Sequence, residues 1–297
     1  MSGKGIRCGG LFIFLLSGLF ISSAFCDPNN GRFELYDYNE TLQINSPSYW
    51  YHDSNYAEVV EFLTPRSPLW KLKTDLLPFE GDYFLLISTG IEDTSTISED
   101  SQGSKVWQSI NAEAGNKLTG VYFFGTMDYS WYVDWGEIKL IPLENPNEAI
   151  EVVYVTVEDV GSYGSGDKGS MSGWKKFEYT FETTGVYELN ISVNDYYDSS
   201  FDSFLAVDGV ALCRNPSGEG DFNCDCTVNF EDFAFLAADW LCDCNDPDVL
   251  NDPESDPDFY NDPNSNCLLG TDMNKNGPVN FADLKIMSEN WLDGIKE

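Results

Sequence analysis

The chain has 297 residues, with 50 Asp or Glu against 16 Lys or Arg and a formal net charge of −34. That balance excludes nucleic-acid binding through clustered cations, and an anionic membrane surface would repel the chain for the same reason. With 42% hydrophobic and 15% aromatic residues it has ample core-forming side chains, and its single histidine, His52, argues against His-based catalysis or a multi-His metal site.

The N-terminus carries Lys4 and Arg7, then an apolar stretch from Leu11 to Ile21, then the small residues Ser22, Ser23 and Ala24. This is the layout of a secretory signal peptide over residues 1–26, with cleavage after Ala24 or after Cys26. The apolar stretch is short for a bilayer span. The expectation is export, to the medium or the cell surface, with no membrane span once the signal is removed.

From Asp27 to Cys213 the dominant pattern has period two. Tyr187, Leu189, Ile191 and Val193 alternate with Glu188, Asn190 and Ser192, and Phe177, Tyr179 and Phe181 alternate with Glu178 and Thr180. Similar runs occupy 83–88, 117–124, 131–141, 150–158 and 203–212, with turn residues such as Glu80-Gly81-Asp82 and Thr183-Thr184-Gly185 between them. Many short alternating strands without a long helical period predict an all-β sandwich or barrel over 27–213. Trp50, Tyr51, Trp107, Trp131, Tyr132, Trp135 and Trp174 are aromatic candidates for a ligand platform, although most rings in such a fold serve the core. Parity puts Trp131 and Trp135 on one strand face and Tyr132 on the other, which makes Trp131 and Trp135 the ligand-binding candidates.

A Pro/Gly/Ser-bearing stretch, Cys213 to Gly220, separates this region from the more densely acidic residues 214–297. There an internal repeat stands out. Residues 221–232 precede Phe233–Leu241, and 51 residues later residues 272–283 precede Leu284–Leu292. Oxygen-bearing side chains fall at loop positions 1, 3, 5, 9 and 12 in both copies: Asp221, Asn223, Asp225, Asn229 and Asp232, then Asp272, Asn274, Asn276, Asn280 and Asp283. This is the ligand spacing of an EF-hand-type calcium loop, with backbone carbonyls of Thr227 and Pro278 expected at position 7. The valines at position 8, Val228 and Val279, are expected to pair the two loops through a short β contact. Phe230/Phe281, Phe233/Leu284, Leu236/Met287 and Trp240/Trp291 recur at helical spacing and give each repeat one apolar face.

These residues carry two resemblances. The duplicated loop-then-helix pattern over about 219–293, with Asp at position 12, resembles a dockerin, a small α-helical calcium-binding module that implies Ca2+ as cofactor and a cohesin-like receptor as partner. Positions 10 and 11, which meet cohesin in that family and often carry small hydroxyl residues, hold Phe230-Glu231 and Phe281-Ala282 here. The usual basic pair on the helix is also absent, and both departures weigh against cohesin. A long insert at 242–270, written in Asn-Asp-Pro repeats, separates the loops and reads as a solvated linker. In the first region, Asn30-Gly31-Arg32-Phe33-Glu34, Pro78 to Phe84 and Asp202 to Val210 resemble the jelly-roll domains of secreted bacterial carbohydrate-binding modules. That resemblance implies polysaccharide binding and a structural calcium between the first and last strands, with Glu34 and Asp208 as ligands.

Six of the eight cysteines fall between Cys213 and Cys267, the pattern of a disulfide framework in an exported protein. Position 6 of loop 1 is Cys226, where the turn wants the positive φ of glycine. A bond to Cys242, beyond the following helix, would hold it there. Cys244–Cys267 and Cys213–Cys224 complete that expected set.

No nucleophile elbow, zinc-protease motif or P-loop is present, and Gly169-Ser170-Met171-Ser172-Gly173 has methionine where an elbow needs serine. No catalytic residue is assigned. The reading is a secreted, non-catalytic, calcium-dependent binding protein, with an enzyme of polysaccharide breakdown or a purely structural surface protein as alternatives.

Overall fold

A computed structural model describes residues 28–41, 43–53, 56–64, 75–90, 103–128, 133–160, 171–195, 201–214, 219–244 and 270–292. The signal-peptide segment, Trp131, Tyr132, Cys267 and almost the whole Asn-Asp-Pro insert lie outside them.

The first region is a β-sandwich. A hairpin of β1 (Tyr36–Asn39) and β2 (Ile44–Pro47) leads into β3 (Tyr51–His52), β4 (Ala57–Val60), β5 (Phe84–Ser88) and β6 (Ser104–Ala112). Then come β7 (Lys117–Thr126), β8 (Trp135–Pro142), β9 (Ile150–Thr156), the one-turn helix α1 (Val157–Val160), β10 (Lys175–Thr180), β11 (Gly185–Asn194) and β12 (Ser203–Cys213). One five-stranded sheet has the order β10-β7-β12-β5-β4 and the other β3-β6-β11-β8-β9, and the named pairings are antiparallel.

Between the sheets lies a core to which both contribute. Val106, Ile110, Ile138, Leu140, Leu189, Ile191 and Val193 come from one, and Leu85, Ile87, Leu118, Phe124, Leu205 and Val207 from the other. The alternation of β11 follows directly, because its inward residues bury apolar surface while Glu188, Asn190, Ser192 and Asn194 point away.

The β5-β7-β12 sheet is buried on both faces. Behind it, Phe84, Leu86, Val121, Phe123, Phe204 and Ala206 pack against Leu63, Leu76, Met171 and Trp174. Trp174 meets Phe84 and Phe123 edge to face at 5.6 and 6.4 Å, and its Nε1 donates to the Leu77 carbonyl at 3.0 Å. Each fully buried ring removes roughly 150–250 Å² from water, an upper bound of about 4–6 kcal/mol. That second layer explains why β5 reads Phe-Leu-Leu-Ile-Ser without alternation. A bulge between Asp208 and Ala211 contains Gly209 at φ +60, a conformation that favours glycine.

The C-terminal residues form two loop-helix repeats, with α2 at Phe230–Ala238 and α3 at Phe281–Glu289. Asn229 and Asn280 cap these helices, each in a capping box with the Asp three residues on, Asp232 or Asp283. Val228, Val279, Leu236, Met287, Phe222 and Cys244 form a common core. The position-8 valines are both buried, but their backbone bonds differ from the expected loop-to-loop contact. Val279 bonds with Leu241 and Cys242, and Val228 accepts from Leu292, so each loop pairs with the chain leaving the other repeat's helix. Helices of nine residues bring those exits alongside the opposite loops.

Candidate functional site

One sheet face has no second layer behind it among the described residues: Lys105, Trp107, Trp135, Glu137 and Lys139 on it are half-buried, and Asn190 and Ser192 lie beneath them at 6% and 5% exposure. On the side of β3-β6-β11-β8-β9 away from the core, the strand register sets Asn190 between Trp107 and Lys139, and Ser192 between Lys105 and Glu137. Asn194 faces Trp135, Glu137 faces Tyr154, and Tyr51 on β3 faces Trp107. Aromatic rings therefore stand towards both edges of a polar centre, across five strands spanning about 19 Å. Tyr51 stacks on Trp107 with centroids 5.9 Å apart and planes 22° apart, and Lys105 Nζ sits 4.6 Å from the Trp107 centroid. Glu137 is ion-paired with Lys139 and accepts from Ser192 Oγ at 3.1 Å, and Asn194 Nδ2 donates to the same hydroxyl at 3.3 Å. A groove of about 460 Å³ runs over the polar groups, lined by Lys105, Glu137, Lys139, Asn190, Ser192 and Asn194 among others, with the four rings outside its lining. Flat rings take the apolar face of a ligand, and amides, hydroxyls and charges meet its polar rim.

Of the aromatic candidates, Trp135 stands on this face and Trp131 lies outside the described residues; the strand expected from 131 begins at Trp135. Trp107 and Tyr51 also belong to the face, whereas Trp50 and Trp174 are core rings at 5% and 2% exposure.

The repeat loops form a second cluster. Asp221, Asp225 and Asp232 bring carboxylate oxygens within 4.8 Å of one another. The Asp221 carboxylate accepts from the Asp225 and Cys226 N–H groups, Asp225 from Thr227, and Asp232 from Phe222, Asn223 and Asn229. Loop 2 repeats this closely: Asp272 accepts from Asn276 and Gly277, and Asp283 from Asn274 and Asn280. Burial pushes Asp232 up to about 6, against the backbone N–H groups that favour its charged form. The donors in both loops are oxygens, the set that suits a hard divalent cation.

Glu34 and Asp208 belong to no such three-carboxylate group among the described residues. Glu34 Oε1 accepts from the Asp82 and Tyr83 N–H groups, and the fully buried Asp208 accepts from Glu80 and Gly209. Both carboxylates therefore hold the 80–83 turn. Burial raises Asp208 well above the usual carboxylate range, and Glu80, ion-paired with Arg32, is pushed up to about 7.

The cysteine pairing needs correction. Cys226 is bonded to Cys213, with Cα atoms 5.2 Å apart, while Cys224 and Cys242 are free thiols. Neither Cys226–Cys242 nor Cys213–Cys224 forms. The reason is where loop 1 sits: Lys176 Nζ donates to the Asp221 carbonyl at 2.5 Å and Thr119 Oγ1 to Cys224 Sγ at 3.3 Å, so Cys226 lies beside the end of β12. Burial pushes the Cys224 thiol up to about 11. Cys244 is disulfide-bonded, and its expected partner Cys267 lies outside the described residues.

One further cluster went unread in the sequence. Asp128, Asp134 and Asp195, at 0–2% exposure, also bring carboxylate oxygens within 4.8 Å, with Ser203 Oγ donating to Asp134 at 2.6 Å. They come from three separate strand ends, so no local spacing marks them. Phe230 and Phe281, expected on the apolar face of each repeat, stand at the first position of their helices and are instead 77% and 76% exposed. Each packs edge-on against the other repeat's tryptophan, Phe230 on Trp291 at 4.9 Å and Phe281 on Trp240 at 5.0 Å.

No protein-family model matches the sequence, and no curated protein matches it. Solved structures with partial likeness include TmCBM61 in complex with β-1,4-galactotriose, at 16% identity and TM-score 0.34, covering 62% of this chain and 94% of that one. Another is the C-terminal family 22 carbohydrate-binding module of Clostridium thermocellum Xyn10B, at 11% identity and TM-score 0.29, covering 63% and 96%. A third is the K1 cleaved adhesin domain of Lys-gingipain from Porphyromonas gingivalis W83, at 8% identity and TM-score 0.31, covering 54% and 90%. Scores this low leave the fold to rest on the strands themselves. Among the described residues, no helix is long and apolar enough to cross a membrane.

Proposed function

We propose that this chain is a secreted, non-catalytic binding protein whose sandwich holds a polysaccharide on that outer sheet face. One observation carries the reading: a single strand register sets Tyr51, Trp107, Trp135 and Tyr154 around the polar row Lys105, Glu137, Lys139, Asn190, Ser192 and Asn194. A pyranose ring is apolar on its faces and hydroxylated at its rim, and this face offers a partner for each surface. The two carboxylates lining the groove are engaged, Glu137 by Lys139 and Ser192, Asp53 by the Lys105 N–H. That favours holding a sugar over cleaving it.

The C-terminal repeats are, on this reading, a dockerin-like pair of calcium loops. Asp221, Asn223, Asp225, Asn229, Asp232 and the Thr227 carbonyl would hold one ion. Asp272, Asn274, Asn276, Asn280, Asp283 and the Pro278 carbonyl would hold the other. Calcium would offset carboxylate repulsion and order the loops, with dissociation constants of about 10⁻⁴ to 10⁻³ M as in extracellular modules. A dockerin-like module implies a receptor of the cohesin kind, but Phe230-Glu231 and Phe281-Ala282 at positions 10 and 11 and the missing basic pair weigh against it, and no protein partner is proposed for the exposed Phe230 and Phe281.

The test is a glycan array and calorimetry on the chain without residues 1–26, with a reducing-sugar assay in parallel. Saturable binding without product, weakened by Trp107→Ala or Trp135→Ala, is expected. Release of reducing ends would replace this reading with an enzyme, and neither binding nor turnover would leave a structural protein. Melting with calcium and with a chelator tests the loops, and identical curves would remove the calcium half.

A further inference from the structure

The two loops share their hydrogen-bond pattern but differ at the turn. Gly277 takes φ +101 in loop 2, and Cys226 takes φ +74 in loop 1. A side chain in that region is disfavoured, so loop 1 needs something glycine supplies for free in loop 2. It has a covalent anchor: Cys226 is bonded to Cys213, the last residue of β12 and part of a sheet buried on both faces. Around that bond, Lys176 on β10 and Thr119 on β7 hold Asp221 and Cys224, Phe79 packs on Phe235 at 5.7 Å, and a Cβ on Gly209 would lie 3.8 Å from the Asn223 carbonyl. The hydrogen bonds of loop 2 among the described residues run within the C-terminal repeats.

Resting on the reading of these loops as calcium sites, we propose that the Cys213–Cys226 disulfide controls loop 1 and leaves loop 2 alone. The bond takes over the role of the turn glycine, presents the loop already ordered, and ties the ion-holding loop to the sandwich's closing strand. Ordering a loop before it binds removes the entropy lost on binding. Coupling between sites is reciprocal, so whatever factor the bond adds to calcium affinity, calcium adds to the stability of the bond.

The experiment uses the whole exported chain and CaCl2. Calorimetry of the wild type should show two sites. The pair Cys213→Ser with Cys226→Ser should weaken one site by about tenfold or more and leave the other within about twofold. The pair Cys213→Ser with Cys226→Gly should recover part of that loss, because glycine relieves the turn while the anchor stays absent. A second measurement needs no cysteine variant. In a glutathione redox series read by peptide mapping, calcium should lower the equilibrium fraction of reduced Cys213–Cys226 by about tenfold. Asp221→Ala should abolish that protection and Asp272→Ala should preserve it. Wild-type affinity at both sites in either cysteine pair, or a redox midpoint indifferent to calcium, overturns the proposal while calcium binding stands. No calcium binding to the wild type at all overturns the underlying reading instead.

Discussion

The two sheets of the sandwich are built from the same kind of strand and end up in opposite situations. The sheet containing β5, β7 and β12 has apolar residues on both faces and is covered twice, by its partner sheet and by the layer with Leu76, Met171 and Trp174. The sheet containing β6, β8 and β11 has apolar residues on one face only, and its other face carries Lys105, Trp107, Glu137, Lys139 and Asn190. Aromatic content does not separate them; coverage does. A tryptophan packed behind the first sheet, Trp174, is structure, and the tryptophans on the outer face of the second, Trp107 and Trp135, are only half-buried.

Substitutions on the two sides should break or sharpen that contrast. Trp174→Ala should have the largest effect, a loss of about 3–5 kcal/mol in denaturant melts, because it opens a cavity and strips Phe84 and Phe123 of a partner. Trp107→Ala should cost glycan affinity about 1.4 kcal/mol or more, a tenfold weakening by calorimetry, with stability changed by less than about 1 kcal/mol. Comparable stability losses in both variants would erase the distinction.

A third effect is read in pH. Burial lifts Glu80, in the turn before β5, from 4.5 to about 7; Arg32 opposes this, while Asp225, Glu231 and Glu34 add to it. The folded chain then holds a proton that the unfolded chain has released, so this group's contribution to stability falls as pH rises from about 4.5 to 7. In calcium-free buffer Glu80→Gln should flatten that decline and raise the pH 8 melting temperature by about 2–4 °C. A steeper decline would refute it. The smallest change belongs to that outer face: Glu137→Gln should shift stability by less than about 0.5 kcal/mol, since its ion pair with Lys139 is partly solvated.

Period-two alternation made much of the sandwich legible. The strands expected at 117–124, 150–158 and 203–212 correspond to β7, β9 and β12, with ends moved by a few residues and residues 157–160 turned into helix. The strand Ser104–Ala112 was not legible, because its buried row contains Ser104 and Gln108 among Val106, Ile110 and Ala112. Gln108 is admitted to the interior by bonds with the Asn29 N–H and with the Asn29 and Tyr49 carbonyls, which no local pattern reveals. The repeat loops were visible because their donors are local, each within twelve residues. The disulfide was misassigned for the converse reason: Cys226 finds its partner through the packing of loop 1 on β7 and β10, which spacing within the repeat does not encode.

The crossed aromatic pairs of the C-terminal repeats carry one more consequence. Phe230 leans on Trp291 and Phe281 on Trp240, and each valine bonds to the backbone leaving the opposite helix. Neither half owns a complete interior. The two repeats form one interlocked unit, and a fragment ending at Leu241 would carry half of that joint.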